Sequence, residues 1–320
     1  MIVLYASGEK LIGLGHLYRV CSLYYYLKSK FNFDKNLLCC YTNLFQKDFY
    51  LKNDCSCSSA VGIDPASVKV LVVDSKEIEL PQSIRAINNH QCLKIAVDTM
   101  RPWAGEFDKL VFPNFYINPM EDHRLLEFKK IQIFYGKKYF FIRRAIDSIY
   151  LKSKYKGKVL VSFGGTDPNH ITRKFLNSIR DSYLRSLLLV LPGPSFADNL
   201  KILQDQNPDI TFLETTSTTV DLVDNSSAFV TAFGTMLNEA EFAGVPTLLI
   251  SNYLEDREDF DWILKSSKSP ENWLFAGNYR ELGNLDIESL LFETLSKRKN
   301  KINDVWGSGW ADIFSGVSYE

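Results

Sequence analysis

Short apolar runs alternate with amphipathic stretches along the first half of the chain. The first run, residues 2–6, is apolar and contains β-branched side chains, as expected of a buried parallel strand. After it comes a stretch with apolar side chains at spacings of three and four, which predicts a helix with one buried face. Its repeating positions are Leu17, Val20, Tyr24 and Leu27. Further strands are predicted at residues 37–41, 70–73, 93–97 and 110–112, and this rhythm is typical of βαβ units.

The same rhythm starts afresh after residues 150–157, which are polar, basic and without periodicity. Strands are predicted there at residues 158–163, 187–191, 210–213, 228–231 and 247–250. A chain of 320 residues also exceeds one ordinary hydrophobic core. We therefore expect an α/β protein with two doubly wound, Rossmann-like domains that face a central cleft. The predicted domains are residues 1–150 and 157–320, with the last helix, about residues 287–300, packing back on the first domain.

Polar side chains follow three of the predicted strands in the first half. Asp74, Asp98 and Asn114 each come directly after an apolar run. Ligands of parallel sheets bind beyond the carboxyl ends of the strands, so we expect these side chains to line one crevice. Aspartate and asparagine also start turns, and for each residue that is the alternative interpretation.

The junction between the first strand and the first helix, residues 12–16, is rich in glycine. Gly13 and Gly15 let the backbone approach a ligand closely, and the free N–H groups of the new helix face it. Arg19 adds positive charge one turn later, and His16 lies where it can move a proton near neutral pH. The alternative is a tight turn that carries a surface histidine.

Two further turns of this kind occur in the second half. Their residues are Gly164, Gly165, Thr166 and Asp167 in the first turn, and Gly234 and Thr235 in the second. The second turn opens a predicted helix, whose N-terminal N–H groups suit a diphosphate. Glu239, one turn further on, can accept hydrogen bonds from both hydroxyls of a ribose. The alternative is that Glu239 merely complements the helix dipole.

The charge balance narrows the classes of partner. The 37 basic and 38 acidic residues leave a net charge of −1, whereas nucleic-acid-binding proteins show a basic excess or stripe. The first residues lack the pattern of a secretory signal, and no apolar run approaches the ~20 residues that span a bilayer. We expect a cytoplasmic protein without a membrane span or a nucleic-acid partner, and a monomer.

The six cysteines do not predict a metal site. They all lie in the first third of the chain, and none forms a C-x-x-C pair. Cys55 and Cys57 are close in sequence, but no histidine or further cysteine follows at the spacing of metal ligands. We therefore expect reduced thiols and neither a metal ion nor another cofactor.

Three motifs together resemble the nucleotide-sugar hydrolase family of pseudaminic acid biosynthesis and its relatives in spore-coat polysaccharide synthesis. The first is Gly13-Leu14-Gly15-His16-x-x-Arg19, and the second runs from Val161 to Pro168. The third is Gly234-Thr235-x-x-x-Glu239 with the later Gly244-Val245-Pro246. Each motif is modest alone, but their order and spacing extend the resemblance over nearly the whole chain.

The resemblance implies a glycosyltransferase-B-type fold with the substrate in the cleft between the domains. The C-terminal domain would hold UDP, with Glu239 on the ribose and residues 215–220 against the base. The N-terminal domain would present His16 as the catalytic base. The implied reaction is metal-independent removal of UDP from an amino-deoxy sugar by attack of water at the anomeric carbon.

Two positions depart from this family. Lys76 stands where the family has a tyrosine, and Glu255-Asp256 stands where it has an Asn-Gln pair. Both positions border the sugar and the attacking water in the family, so Lys76 and Glu255 are predicted substrate-binding residues with altered chemistry. Glu255 is also the competing candidate for the base. A glycosyltransferase that uses a UDP-sugar donor, or a protein that only binds nucleotide sugars, remains an alternative.

Overall fold

The computed structural model describes residues 1–8, 14–31, 36–99, 101–114, 131–142, 155–194, 196–214, 219–252, 271–300 and 306–315. The chain divides into two compact units. Unit 1 consists of Met1–Phe141 together with Val305–Glu320, and unit 2 is the intervening Ile142–Asp304. The first crossing therefore comes earlier than the predicted linker at residues 150–157, and the chain returns to unit 1 near its end.

Unit 1 contains a parallel sheet of seven strands in the order β3-β2-β1-β4-β5-β6-β7. The strands are β1 Ile2–Ala6, β2 Leu37–Tyr41, β3 Cys57–Ser59, β4 Val70–Asp74, β5 Leu93–Val97, β6 Lys109–Phe112 and β7 Gln132–Tyr135. The helices α1 Gly15–Phe31, α2 Leu44–Lys52 and α3 Gln82–Asn88 lie between them in sequence. Short 3-10 helices occur at Ala60–Gly62, Pro65–Ser67, Pro102–Glu106 and Lys137–Tyr139.

The central strands of unit 1 are buried on both faces, which explains their continuous apolar sequence. All five residues of β1 and of β4 are buried. Alternate residues point to opposite faces, so Leu4 and Val72 join one hydrophobic cluster while Val3 and Val73 join the other. Both faces of this sheet are therefore packed, and ligands have access only at its edges and ends.

Unit 2 has a parallel sheet of six strands in the order β10-β9-β8-β11-β12-β13. The strands are β8 Val159–Ser162, β9 Leu188–Val190, β10 Thr211–Phe212, β11 Ala228–Thr231, β12 Thr247–Ser251 and β13 Trp273–Asn278. The helices are α4 Ile171–Ser178, α5 Ser182–Leu187, α6 Leu200–Gln206, α7 Thr219–Asn225, α8 Thr235–Ala243 and α9 Ile287–Ser296, with a 3-10 helix at Leu282–Asn284. No helix among the described residues is long and apolar enough to cross a membrane.

Both sheets reverse their strand order at the same place in their topology. In unit 1 the chain builds outward from β1 to β3 and then resumes on the other side of β1 with β4. In unit 2, β8 and β11 have the same relation. Connections on the two sides of such a point leave in opposite directions, which opens a crevice at the carboxyl ends of the strands. A ligand site is therefore expected at the residues that follow β1, β4, β8 and β11.

Strands β3, β7 and β13 were not predicted from the sequence. All three lie at sheet edges. None of the residues of β3 or β7 is fully buried, and half of those of β13 are only partly buried. Edge strands expose one side to solvent and so lack the continuous apolar run that marks a central strand.

The last helix of the description, α10 Trp310–Phe314, belongs to unit 1. The indole Nε1 of Trp310 donates a 2.7 Å hydrogen bond to the carbonyl of Tyr139, and the ring stacks on Phe141 at a centroid distance of 6.0 Å. Lys109 donates to the carbonyl of Ile313 at 2.8 Å. Helix α9 packs on β12, β13 and α4 of unit 2, and the prediction that residues 287–300 pack back on the first domain stays a prediction. Helix α10, which is shorter and rich in aromatic side chains, packs within unit 1.

We expect Trp310→Ala to destabilise unit 1 by about 3–5 kcal/mol, since it removes a large side chain that is only 3% exposed. Urea unfolding, followed by the NMR amide signals of unit 1, measures the loss. Phe292→Ala is the matched control, because Phe292 on α9 is 47% exposed and its loss should cost less than about 0.5 kcal/mol. Equal effects of the two variants would contradict the role given to α10.

Candidate functional site

A histidine lies at the carboxyl end of the first sheet, where α1 begins beside β1 and β4. Gly15 is the first residue of α1, and His16, the second, is 8% exposed. The first bond of the helix runs from the amide of Tyr18 to the carbonyl of Leu14 at 3.0 Å. Gly13, predicted to contact substrate, lies outside the described residues. The helix start therefore holds the imidazole at the end of the sheet.

The imidazole of His16 is oriented by an acid. Its Nδ1 lies 2.5 Å from Oδ1 of Asp74, the last residue of β4. An ionised carboxylate only accepts hydrogen bonds, so we assign the ring hydrogen to Nδ1, which leaves Nε2 with its lone pair. No residue in the described ranges forms a hydrogen bond to Nε2. His16 and Asp74 thus have the geometry of a general base whose tautomer is fixed by a carboxylate.

Arg19 ties this pair to a second acid. Its Nε donates to Oδ2 of Asp74 and its Nη2 to Oδ1, both at 2.8 Å. Its Nη1 lies 2.8 Å from Oδ2 of Asp98, which follows β5. The guanidinium side chain is 11% exposed and the side chain of Asp74 is 1% exposed. Arg19 and Asp74 thus form a bidentate ion pair that is largely buried, and the planar guanidinium of arginine suits this geometry.

Asn114 completes the network. Its Nδ2 donates a 2.8 Å hydrogen bond to Oδ1 of Asp98, so both oxygens of that carboxylate have partners. Asp98 has a φ of 52°, a left-handed conformation that an L-residue adopts only when its surroundings fix it. The predicted meeting of His16 with the polar residues at the strand ends is observed for Asp74, Asp98 and Asn114. Their roles toward a substrate stay predictions.

The charges in this network keep Asp74 ionised. Burial by itself raises the pKa of Asp74, but the charges and hydrogen bonds of Arg19 and His16 lower it to about 2. Burial by itself lowers the pKa of Arg19, but Asp74 and Asp98 outweigh that effect and raise it. A buried pair of this kind depends on both partners, and removing one of them costs about 3–5 kcal/mol.

The returning helix α10 lies close to this network. Arg19 and Asp74 line a cavity of about 10 Å³ together with Tyr139, Phe141 and Trp310. Such a volume has room for about one water molecule. The aromatic side chains that anchor α10 therefore lie next to the same small cavity as the ion pair.

The second candidate site begins at the glycine-rich turn after β8. Gly164, Gly165 and Thr166 are partly exposed, whereas Asp167 is buried. The two oxygens of Asp167 accept from the amides of Ile171 and Thr172 at 2.8 and 2.9 Å. Asp167 thus satisfies the first amides of α4. Its predicted part in nucleotide binding stays a prediction, and its observed contacts shape the turn.

Gly193, which sequence reasoning missed as a site residue, fits closely under this turn. A Cβ atom on Gly193 would lie 2.3 Å from the carbonyl oxygens of both Gly164 and Gly165. The turn is also held by the amide of Ala197, which donates to the carbonyl of Thr166 at 2.9 Å. The signal in the sequence is Pro192-Gly193-Pro194 at the end of a strand, but only the fold shows which backbone it approaches.

The start of α8 and the side chain of Glu239 form the other part of the second site. Gly234, the N-cap residue of the nine-residue helix, has a φ of 152° and no side chain of its own to cap the helix. Glu239 is fully buried and accepts a hydrogen bond from the hydroxyl of Thr219. Amides at a helix start suit an anion, and binding of a diphosphate at Gly234 and Thr235 stays a prediction. Contact between Glu239 and a ribose stays a prediction.

Two predicted elements fall wholly or largely outside the description. Glu255, the competing base, is one of them, and residues 215–218 of the predicted base-binding loop are the other. Thr219 and Val220, the last residues of that loop, begin α7 and are buried. Lys76 is described and is exposed. No cluster of three or more His, Cys, Asp or Glu that could hold a metal ion occurs in the described ranges.

Comparison with solved structures identifies the fold. UDP-GlcNAc 2-epimerase of Methanocaldococcus jannaschii, solved with UDP-GlcNAc and UDP, superposes with a TM-score of 0.60 at 11% identity, over 100% of both chains. The glycosyltransferase SnogD of Streptomyces nogalater superposes with a TM-score of 0.59 at 11% identity, over 92% of both chains. The fold is of the glycosyltransferase-B type. A putative UDP-N-acetylglucosamine 2-epimerase of Listeria monocytogenes superposes with a TM-score of 0.57 at 13% identity, over 97% of this chain and 93% of that one.

Sequence comparison is less specific. No family model matches the chain. An uncharacterized protein of Methanocaldococcus jannaschii is 23% identical over 309 residues, which is 89% of this chain. The chain spans 63% of the length of that relative. The glycosyltransferase-B-type fold is confirmed by the solved structures, and membership of the hydrolase family stays a prediction.

We expect the stability gap between the native protein and Asp74→Asn to narrow on acidification. The pKa of Asp74 falls from an ordinary 3.8 to about 2 on folding. The ionised carboxylate therefore makes its full contribution to the free energy of unfolding above pH 3.8, and that contribution is lost as the pH falls toward 2. At ~1.4 kcal/mol per unit, the gap should shrink by about 2 kcal/mol. Urea unfolding of unit 1 at stepped pH measures it, and a gap independent of pH would refute the assignment.

We expect Gly193→Ala to destabilise unit 2 by about 1–3 kcal/mol, because the added methyl group would overlap two backbone carbonyls that cannot rotate away. Gly283→Ala is the matched control in the same unit, since a Cβ at Gly283 meets nothing within 4 Å. Thermal or urea unfolding of unit 2 compares them. A variant at Gly193 as stable as the control would show that the turn is not packed as described.

Proposed function

We propose that this protein acts at the anomeric carbon of a UDP-sugar, with His16 as the general base. The observation that carries the proposal is the buried pair of His16 and Asp74, with Nδ1 occupied by the acid and Nε2 left as an acceptor. This pair lies at the strand-order reversal of the first sheet, where ligands of such sheets bind. Such a pair can remove a proton from a hydroxyl group.

The proposed reaction is a displacement of the nucleotide. Nε2 of His16 takes the proton of a nucleophilic hydroxyl group as its oxygen forms a bond to the anomeric carbon. The bond between that carbon and the diphosphate oxygen breaks, and UDP leaves with the electron pair. Asp74 stabilises the positive charge that develops on the imidazole, and Arg19 keeps Asp74 ionised and in place.

The nucleotide is proposed to bind at the second site. Gly164, Gly165 and Thr166 would contact the diphosphate with backbone groups, and the amides at the start of α8, near Thr235, would face its negative charge. Glu239 would accept hydrogen bonds from the ribose hydroxyls. A diphosphate is a good leaving group once its charge is offset, so positioning and electrostatic stabilisation supply most of what the reaction needs.

We favour a sugar hydroxyl over water as the nucleophile, which makes the protein a glycosyltransferase. Glycosyltransferases are among the solved proteins with this fold, and a base oriented by an acid suits activation of an acceptor hydroxyl. The hydrolase is the second candidate, because the three sequence motifs resemble that family. The two differ in whether UDP release requires an acceptor.

The test incubates purified protein with a panel of UDP-sugars, with and without sugar acceptors, and follows UDP release. We expect release that needs an acceptor and that falls at least 100-fold in His16→Ala, the usual loss with a general base. Release without acceptor that also depends on His16 would assign the hydrolase. A new UDP-linked sugar without release of UDP would indicate epimerisation. Unchanged activity of His16→Ala would overturn the assignment of His16 as the general base.

Nucleotide binding is tested separately by calorimetry with UDP and 2′-deoxy-UDP. We expect the native protein to prefer UDP, and Glu239→Gln to lose at least tenfold in UDP affinity together with that preference. Because Glu239 is buried, a purely structural defect is a real alternative. Such a defect would weaken the binding of UDP and of 2′-deoxy-UDP equally. The preference for UDP would then remain, which would refute the ribose contact.

A further inference from the structure

The loop after β4 lies at the strand-order reversal of the first sheet. β4 ends at Asp74, and Ser75, Lys76 and Glu77 follow it next to the residues after β1. The amide of Ser7 donates to the carbonyl of Asp74 at 3.0 Å, which continues the pairing of the two strands by one residue. Lys76 is therefore two residues from the acid that orients His16, at the end of the sheet where ligands bind.

The backbone of this loop is fixed from two sides. The amide of Lys76 donates to Oγ of Ser7 at 3.4 Å, and the Nε of Arg101 donates to the carbonyl of Lys76 at 3.0 Å. The indole Nε1 of Trp103 donates to the carbonyl of Glu77 at 3.0 Å. These hydrogen bonds fix the backbone of the loop on both sides of the lysine. Here the Cα of Lys76 has a defined position although its side chain is exposed.

The nearest acid in the sequence is already engaged elsewhere. Oε2 of Glu77 accepts from the hydroxyl of Tyr5 at 2.9 Å and from Oγ of Ser75 at 3.1 Å. Burial, together with the charge of Glu77, raises the pKa of Tyr5, so the phenol stays a donor. The carboxylate of Glu77 is thus directed back toward β1 and takes part in fixing the loop.

Two cationic side chains remain at this end of the sheet. Lys76 and Arg101 are both exposed, and in the described part of the chain no carboxylate pairs with either of them. Asp74 and Asp98, the nearby acids, are held by Arg19. The Nε contact to the loop carbonyl keeps the guanidinium of Arg101 at the backbone of Lys76. Two exposed cations on neighbouring segments, neither paired with an acid, attract an anion to this surface.

We propose that Lys76, supported by Arg101, receives a carboxylate of the sugar substrate. This inference rests on the proposed function and deepens it, because it assigns an acidic sugar as the substrate class. The diphosphate of the nucleotide is assigned to the second site, so the ionised group left for Lys76 is a carboxylate on the transferred sugar or on the acceptor. Lys76 is a specificity-determining residue in this scheme and takes no part in the proton transfer at His16.

The donor arm of the test compares UDP-glucuronate with UDP-glucose, which differ in a carboxylate or a hydroxymethyl group at one carbon. Calorimetry is run on the native protein, on Lys76→Met and on Lys52→Met, a control at an exposed lysine at the end of α2. We expect about a tenfold preference for UDP-glucuronate that Lys76→Met abolishes and Lys52→Met retains. The affinity for UDP itself should be the same in all three proteins.

The acceptor arm uses methyl β-D-glucuronide and methyl β-D-glucoside, with NMR amide shifts of Ser75, Lys76 and Glu77 as the readout. Selective shifts with the glucuronide, lost in Lys76→Met, would locate the carboxylate on an acceptor. A preference in either arm that Lys76→Met abolishes supports the inference. Equal behaviour of both matched pairs in both arms, or a preference that Lys76→Met retains, would overturn it. Since the glucuronide is tested without nucleotide, a failure to bind UDP would refute the proposed function and leave this arm informative.

Discussion

The ion pair between Arg19 and its two acids is the interaction on which the first site depends. A carboxylate as buried as Asp74 would be costly to keep ionised without a partner, and a neutral acid would orient His16 differently. Arg19 supplies that partner with a fork of two hydrogen bonds and uses its remaining nitrogen to hold Asp98. One side chain from α1 therefore fixes the ends of β4 and β5 and the histidine on its own helix.

Strand topology explains why these groups meet. β1 and β4 are neighbours at the point where the strand order reverses, so the residue after one strand and the helix start after the other approach each other without a long connection. The same order in unit 2 puts the turn after β8 beside the turn after β11. Unit 1 gathers His16, Arg19 and two acids there, and the corresponding turns of unit 2 are rich in glycine.

Much of this arrangement can be predicted from the sequence, because buried parallel strands have a strong apolar pattern and sites lie at their carboxyl ends. Asp74, Asp98 and Asn114 were found in that way. Tyr5 was missed, because its ring is buried within an apolar strand and its sequence pattern does not reveal that its hydroxyl group reaches Glu77. Gly193 was missed because its close contact is with backbone about thirty residues away. Edge strands and the short helix α10 have patterns too weak to assign before their packing is known.

The partners of each acid decide what that acid does. Asp167 accepts from two helix amides, Glu77 accepts from a phenol and a serine, and Asp98 lies between Arg19 and Asn114. These are the same residue types that a sequence search would offer as bases or metal ligands, and each is engaged in holding the fold. In the described part of the chain, Lys76 and Arg101 are exposed cations at the end of the first sheet with which no carboxylate pairs. Exposed cations without a paired acid attract negatively charged ligands.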